Sequence, residues 1–501
     1  MPHVIVVGAG AGGLATAIDL ARRGAAVTLL ERAATVGGKI RSVGGVDSGP
    51  TVFTMRWVFD ALFSDAGTTL ESLLTLHPVD VLARHAWSHT ERLDLFADMD
   101  QSIDAIGRFA GPAEAAGYRD FCARSQRVYR TLEQPFMCAP RPTALSLAGS
   151  TGVSAMMGIA PFATLWRALG EHFRDPRLRQ LFGRYATYSG SSPFESPATL
   201  MLIAHVEQQG VWLVEGGMVR LAQAMRDLAQ GLGVTLRTGA QVEEIIVRDR
   251  RANGVRLTTG ERIEADAVVL NGDVGALAAG LFGRALTNAA PAPKLAERSL
   301  SAITWAATAT TTGFPLTRHN VFFSRDYPAE FDDIFRRHRL PTAPTVYVCA
   351  QDRGLSDPDG AERLLVLTNA PATGDRHDFT ASEIEPCTRA TFGLLSRCGL
   401  QVDLHPTRTE VTTPTQFEHL FPATGGALYG RAVHGSMAAF KRPGSRSAIQ
   451  GLYLAGGSVH PGPGVPMAVL SGRQAAASVL EDLTSRSRSR RTVTSGGMLM
   501  R

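Results

Sequence analysis

Cysteine is scarce in this chain and never paired. Its five residues, Cys122, Cys138, Cys349, Cys387 and Cys398, are odd in number, widely spaced and nowhere arranged as CxxC. Neither a disulfide framework nor a zinc site is expected, no metal ligand set stands out, and a reducing cytoplasm fits. Strong charge is also missing. A formal net charge of +5 is small for 501 residues, so nothing points to a nucleic-acid partner. No signal peptide is expected, because MPHVIVVGAG enters structure at once. No repeat of solenoid period is visible. A convincing membrane span is lacking too. Residues 142 to 166, PTALSLAGSTGVSAMMGIAPFATLW, are uncharged and long enough to cross a bilayer. Three glycines, Pro161 and several hydroxyl residues nevertheless make a poor spanning helix. The expectation is an apolar element of a substrate domain that dips into one leaflet.

What remains is an ordinary globular composition, 44% apolar and 19% charged, in a chain too long for one compact core. The first thirty residues read as a β-α-β unit: a buried strand at Val4 to Val7, an amphipathic helix from Gly12 to Arg23, and a second strand at Val27 to Leu30. Residues 32 to 55 are glycine-rich loop. Segments 79 to 88 and 91 to 98 alternate like paired strands, whereas 100 to 132 and 162 to 209 read mainly as helix. After Val211 to Val214 and EGGM, a helix from Val219 to Leu232 leads into strands near 234 to 237, 241 to 248, 254 to 258 and 263 to 270. Strands recur around 301 to 312, 345 to 350 and 364 to 369, with a helix over about 382 to 397. The last stretch, GLYLAGGSVHPGPGVPMAVLSGR (451 to 473), is strand, glycine-rich loop and a helix running to about Leu483. Residues 485 to 491, SRSRSRR, open a basic tail expected to be disordered, with anionic lipid as a less favoured partner.

These alternations predict an α/β fold interrupted by insertions. A Rossmann-like nucleotide-binding domain is expected over 1–75, 211–290 and 416–484. A mixed α+β substrate domain over 76–210 and 291–415 is inserted into it, and 485–501 follows as tail.

Gly8-Ala9-Gly10-Ala11-Gly12-Gly13 supplies GxGxxG between strand and helix, and Glu31 stands at the tip of the second strand. Gly8 permits the tight turn, Gly10 lets a pyrophosphate approach the backbone, and Gly13 lets helix pack on strand. The helix N-terminus then faces the phosphates, and Glu31 can bond a ribose hydroxyl. Gly37-Gly38-Lys39-Ile40-Arg41 follows, a second glycine pair with cations suited to a cofactor lying along the loop. Simple nicotinamide dehydrogenases rarely add this element, which tilts the choice to FAD. Gly456-Gly457 would let backbone approach the ribityl chain, and a helix from about Pro466 would aim amides at the electron-rich edge of the isoalloxazine.

VIVVGAGAGGLATAIDLARRGAAVTLLERAATVGGKI (4 to 40), DSGPT (47 to 51), YSGSSPFESPATLMLIAHVEQQGVWLVEGGM (188 to 218), LNGDV (270 to 274) and the 451 to 473 segment together resemble the bacterial carotenoid desaturases. These are relatives of phytoene desaturase among the amine-oxidase-like, two-dinucleotide-binding-domain flavoproteins. The likeness runs nearly end to end, and GGxxHPGxGxP is its specific signature. GGSVHPGPGVPMAVLSGR, RYATYSGSSPFESPA and GVWLVEGGM look like the hydroxyneurosporene or methoxyneurosporene desaturase branch. That branch introduces a 3,4 double bond into a carotenoid whose end is already hydroxylated.

The resemblance implies an FAD enzyme of carotenoid biosynthesis in a photosynthetic bacterium, acting on an acyclic 1-hydroxy or 1-methoxy carotenoid. It implies a peripheral attachment to the cytoplasmic face of the inner membrane, with oxygen or a membrane quinone taking the electrons. Expected cofactor contacts are Gly8, Gly10, Gly12, Gly13, Glu31, Arg32, Gly38, Lys39, Arg41, Val242, Gly456, Gly457, Pro466 and Met467. Loss of a hydride and a proton from an unactivated carbon pair needs a flavin for the hydride and a dry, apolar tunnel for the polyene. The 142 to 166 segment and Pro197 to Ala204 are candidate linings, with ordinary core as the alternative. His460 and Glu215 are the candidate catalytic groups, Glu195 a further one, although His460 could equally shape a turn and Glu215 bind amides at a helix start. No aspartate occurs in 142 to 166, where some members carry an acid proposed for catalysis. Tyr185, Tyr188 and Ser189 are candidates for contact with the substrate hydroxyl. Alternatives within the family are a phytoene desaturase or a carotene isomerase. An amine oxidase is disfavoured for want of the expected cysteine or aromatic-cage motifs. A prenyl- or lipid-binding module on the same fold is the remote alternative, since such modules lose the glycine and acid fingerprint.

Overall fold

The computed structural model describes residues 1–152, 158–160, 162–355 and 358–492, with side chains to 485. Its organising element is a five-stranded parallel sheet in the order Leu452–Leu454, Ala267–Leu270, His3–Val7, Ala26–Leu30, Thr235–Arg237. Its central strand is sealed on both faces: Val4, Ile5 and Val6 are fully buried and Val7 nearly so. Such a continuous apolar run is what a strand covered on both sides requires. Three distant parts of the chain therefore supply one sheet, and the first and last elements of the sequence share it.

The helix Ala11–Ala21 covers one face of this sheet and packs on the long helix Val465–Thr492. Small residues set the approach. A Cβ on Gly472 would lie 2.1 Å from the carbonyl oxygen of Gly12, and Thr16 Oγ1 donates to the Gly472 carbonyl at 3.0 Å. Antiparallel strands Val242–Arg248, Arg251–Leu257 and Arg262–Glu264 form a small sheet beside it.

Chain that leaves the parallel sheet builds a second layer system. An eight-stranded sheet runs in the order 401–403, 301–312, 362–370, 346–350, 319–322, 81–86, 92–96, with Thr409–Thr412 pairing on the 301–312 strand. Helices Met99–Ala110, Pro112–Leu132, Leu165–His172, Pro176–Gly183 and Leu202–Gln208 stand by it. Phe121, Phe173 and Phe182, all fully buried, stack among these helices with ring centroids 4.8 to 5.5 Å apart.

Several expectations need correction. The predicted helix over 162 to 209 is broken into pieces. Pro176 restarts it after the Asp175 cap, Gly190 takes φ +67°, and Pro193 and Pro197 interrupt the rest. The strand expected over 263 to 270 is two strands, because the chain passes from the small sheet into the parallel sheet at Ala265–Asp266, where Asp266 N donates to His3 O. His319–Phe322 is an unforeseen strand with no apolar alternation, buried at all four positions. The last helix continues to Thr492 instead of stopping near Leu483, so SRSRSRR is helical. No glycine or proline between Arg473 and Thr492 ends it. Residues 493–501, and 153–157 and 161 of the uncharged segment, lie outside the described residues. Among the described residues no helix is long and apolar enough to cross a membrane.

Candidate functional site

The site grows from the first strand–turn–helix. Gly8 takes φ +97°, and at Gly13 a Cβ would fall 2.0 Å from the Gly8 carbonyl oxygen, so only glycine lets the helix begin this close to the strand. The turn leaves the amides of a helix N-terminus facing outward, ready for an anion. Glu31, at the end of the second strand, bends its carboxylate back over this turn. Oε2 accepts from Ala9 N at 2.7 Å and Oε1 from Ala33 N at 2.9 Å. The second glycine pair closes the other side: Gly37 N donates to Ala9 O at 2.9 Å, and a Cβ on Gly38 would sit 3.2 Å from Gly10 Cα. Val242 is buried at the start of the small sheet, beside Glu31 through the bond from Ala240 N to Glu31 O at 2.8 Å.

The expected cations are tied to the C-terminal part. Lys39 Nζ donates to Leu428 O at 2.5 Å and lies 5.2 Å from the centre of the Phe421 ring. Burial lowers its pKa, opposed by Asp273. Arg41 donates to Thr412 Oγ1 at 3.0 Å and lies over Phe417, and burial lowers its pKa too. Arg32 is exposed and donates to Leu420 O.

From the other end of the chain, Gly456 N donates to Ser471 Oγ at 3.2 Å, and Gly457 O accepts from Arg442 at 3.0 Å. Pro466, buried, and Met467, half-buried, form the first turn of the helix that follows. A Cβ on Gly12 would meet Gly456 Cα at 3.1 Å, so the two glycine turns touch. The structure thus brings Gly8, Gly10, Gly12, Gly13, Glu31, Gly38, Gly456 and Gly457 into one cradle, with Val242 on the adjoining small sheet.

The candidate catalytic groups fare differently. His460 is buried, and its Nε2 lies 2.9 Å from the carbonyl oxygens of both Phe136 and Ala139, so that nitrogen carries the hydrogen and donates. Desolvation pushes its pKa down to about 4. The imidazole clamps the 133–139 turn, with Phe136 packed edge-on at 5.0 Å. Glu215 is exposed and pairs with His77 at 3.0 Å. It does not bind the amides of the following helix, as one expectation had it. Asp47 of DSGPT does: its Oδ2 accepts from Met218 N at 2.6 Å, while Gln351 brackets the Asp47 backbone at 2.9 and 2.7 Å. Burial raises the Asp47 pKa. Glu195 pairs with His434 Nδ1 at 2.8 Å, and that hydrogen bond lowers its pKa.

The three substrate candidates are saturated by the protein. Tyr185 and Tyr188 donate to the two oxygens of buried Glu207 at 2.7 and 2.8 Å, Arg184 donates to the Tyr188 hydroxyl at 2.8 Å, and Ser189 Oγ donates to Ala186 O at 2.9 Å. Missed by sequence reasoning were Asn271, whose amide donates to Gly8 O at 3.2 Å, together with Asp47, Arg442 and Tyr429. LNGDV and DSGPT held the first two in plain view as segments. For Arg442 and Tyr429 no local signal existed.

Comparison with known proteins gives the family. The profile of the flavin containing amine oxidoreductases matches residues 11–480. Hydroxyneurosporene desaturase of Rubrivivax gelatinosus is 56% identical over 510 residues, covering 100% of this chain and 97% of that protein. The hydroxyneurosporene desaturase of Cereibacter sphaeroides is 46% identical, covering 97% and 99%. A 4,4'-diapolycopene oxygenase of Methylomonas sp is 31% identical, covering 96% and 98%. Among solved structures, a putrescine oxidase variant superposes with a TM-score of 0.60 at 14% identity, covering 97% of this chain and 99% of its own, which speaks to the fold alone.

FAD fits the residues present: glycine turns that leave no room for a Cβ, outward-facing amides, an acid at the second strand and a second glycine turn from the far end of the chain. With the profile matched over nearly all its length, and close relatives aligned end to end, this chain belongs to the flavin containing amine oxidoreductases, in their carotenoid desaturase branch, with FAD as its cofactor.

Proposed function

We propose that the protein is an FAD-dependent desaturase that introduces the C-3,4 double bond into 1-hydroxy or 1-methoxy acyclic carotenoids such as hydroxyneurosporene. The observation that carries this reading is 56% identity, over the full chain, to a hydroxyneurosporene desaturase, in a protein whose two ends meet in one dinucleotide cradle. The substrate gives up a hydride from one carbon of the pair and a proton from the other, and the conjugated polyene spreads the positive charge that develops. Bound FAD supplies the hydride acceptor that no side chain can be.

The chain's own work is to hold and to exclude. Ala198, Met201 and Ala204 are buried in the principal core, and the glycine turns fix the cradle. Tyr185 and Tyr188 spend their hydroxyl protons on Glu207, and Arg184 donates to Tyr188, so both hydroxyls and the carboxylate are held within the protein. Excluding water protects the developing cation. His460, committed through Nε2 to two carbonyls, keeps the 133–139 turn in place, and the proton that hydride loss has made acidic passes to a weak base such as water.

The substrate is insoluble in water, and a membrane surface is the reservoir that supplies it. Leu145 and Phe162, 84% and 78% exposed at the two ends of the uncharged segment, support attachment there without a spanning helix. The same surface, on the cytoplasmic side of an inner membrane, offers a quinone as electron acceptor, with dissolved oxygen the other. Anaerobic mixing of the holoenzyme with hydroxyneurosporene tests the reading. Bleaching of the flavin with a red-shifted polyene spectrum is expected. A flavin that stays oxidised, with the polyene only isomerised or unchanged, refutes it.

A further inference from the structure

Of the eight tyrosines in the chain, one has a hydroxyl that is neither bonded nor sealed. Tyr118, Tyr129, Tyr185, Tyr188, Tyr347 and Tyr453 each hydrogen-bond a described side chain. Tyr327 has no partner, but its oxygen is closed off from solvent. Tyr429, half-buried, makes no hydrogen bond through its hydroxyl to any described residue, and that oxygen is not among the sealed ones, so it is accessible. Burial alone pushes the phenol up to about 12. The side chain is therefore half-buried with an unsealed, unpaired hydroxyl, free to take a ligand as its partner.

Its place in the fold says where that ligand lies. The residue before it, Leu428, receives the Lys39 ammonium of the N-terminal glycine-pair loop at 2.5 Å. The residue after it, Gly430, is so close to Ser458, next to Gly457, that a Cβ would lie 3.0 Å away. Arg442 ties the two together, donating to Tyr429 O at 3.1 Å and Gly457 O at 3.0 Å. The ring itself is wedged against Gly190, where a Cβ would sit 2.5 Å from its Cδ2, and its amide donates to Ser299 Oγ at 3.0 Å. Tyr429 is thus fixed between the N-terminal and the C-terminal cofactor loops.

Resting on the function proposed above, we propose that Tyr429 Oη is the donor that reads the oxygen on the terminal carbon of the carotenoid, and so sets the preference for an oxygenated end. The chemistry demands a reader at this place. Only two bonds separate the oxygen-bearing carbon C1 from C3, so when C3 and C4 lie at the cofactor, the oxygen lies beside it too. A phenol donates equally to a hydroxyl and to a methoxy oxygen, which suits both substrates. A plain carotene seated there displaces water from the phenol and offers it no partner, and that is the penalty on which such discrimination rests. Tyr185, Tyr188 and Ser189, already saturated, cannot impose it.

Tyr429→Phe removes that one atom. The expected result is a fall of about 10- to 100-fold in kcat/KM for hydroxyneurosporene. The ratio of affinities for hydroxyneurosporene and plain neurosporene, read at equilibrium from the induced circular dichroism of the bound polyene, falls to about one. Flavin content and spectrum stay as in the wild type. A variant that keeps the wild-type ratio overturns the proposal, as does one whose flavin spectrum shifts while the ratio holds. If the wild-type flavin is not reduced by hydroxyneurosporene at all, the underlying function falls and this assignment with it.

Discussion

Asn271 is the side chain on which both glycine turns lean, and its truncation is a direct test of the cradle. It follows the parallel strand Ala267–Leu270, with its own amide bonded to Val7 O at 2.8 Å. Its Nδ2 lies 2.9 Å from where a Cβ on Gly10 would stand, and its Oδ1 lies 2.7 and 2.8 Å from those positions on Gly12 and Gly456. Asn271→Ala deletes the bond to Gly8 O, worth about 1 kcal/mol. It also removes packing against the glycine turns, worth up to roughly 1 kcal/mol more for this half-buried side chain. The amide packs against both turns, so their loosening is expected to be felt in cofactor binding. About 2 kcal/mol corresponds to a roughly 30-fold weaker Kd for FAD. Titrating FAD into apoprotein by flavin fluorescence measures this, with the thermal midpoint of the apoprotein as the control for folding. A folded variant that binds FAD within threefold of wild type would refute the claim that this amide organises the cradle.

Two further outcomes follow from the titrating groups. His460 has its folded pKa depressed to about 4 from an ordinary 6.5. Above pH 6.5 it is neutral in both states and costs nothing. As pH falls below 6.5 the unfolded chain takes up a proton that the folded chain refuses, so stability is lost down to about pH 4, by roughly 3 kcal/mol in total. His460→Gln lacks that slope, and chemical denaturation at pH 7 and pH 4 should show the variant losing about 3 kcal/mol less than the wild type on acidification. Equal losses would show that the ring is not held neutral. Glu215→Gln, by contrast, changes an exposed group that among the described residues pairs with His77 alone, and turnover should stay within about twofold of wild type, as for other surface substitutions. A drop of tenfold or more would return Glu215 to the chemistry.

The parts of the fold that could be read from the chain are those where local pattern and tertiary demand coincide. Val4 to Val7 must be a strand covered on both faces, and the GxGxxG that follows admits little but a strand–turn–helix. The paired strands at 81–86 and 92–96 and the helical stretch 100 to 132 were legible for the same reason, although the structure divides the latter at Gly111 into two helices. His319–Phe322 was not, because HNVF owes its place to pairing with Val346–Ala350 on one side and Val81–Ala86 on the other. Sequence distance hides such partners. At the site, glycines announce close approach and can be found by spacing. The residues they approach carry no such spacing signal: Asn271 was visible only as part of LNGDV, and Ser458 not as a contact at all.

The same asymmetry explains why the substrate candidates moved from Tyr185 and Tyr188 to Tyr429. A tyrosine beside a matching motif is a reasonable guess at a polar contact, but what decides its role is whether its hydroxyl is already spent. For Tyr185 and Tyr188 that depends on Glu207, which stands on a different helical segment and takes both hydroxyls at once. Breaking such a buried group by removing one partner leaves charge unpaired, so evolution can alter it only as a unit. A free phenol costs little to keep or discard where a ligand supplies its partner. Substrate preference can therefore change at Tyr429 while the fold around it stays constant, whereas the Arg184–Tyr188–Glu207–Tyr185 network ties preference to stability and resists change.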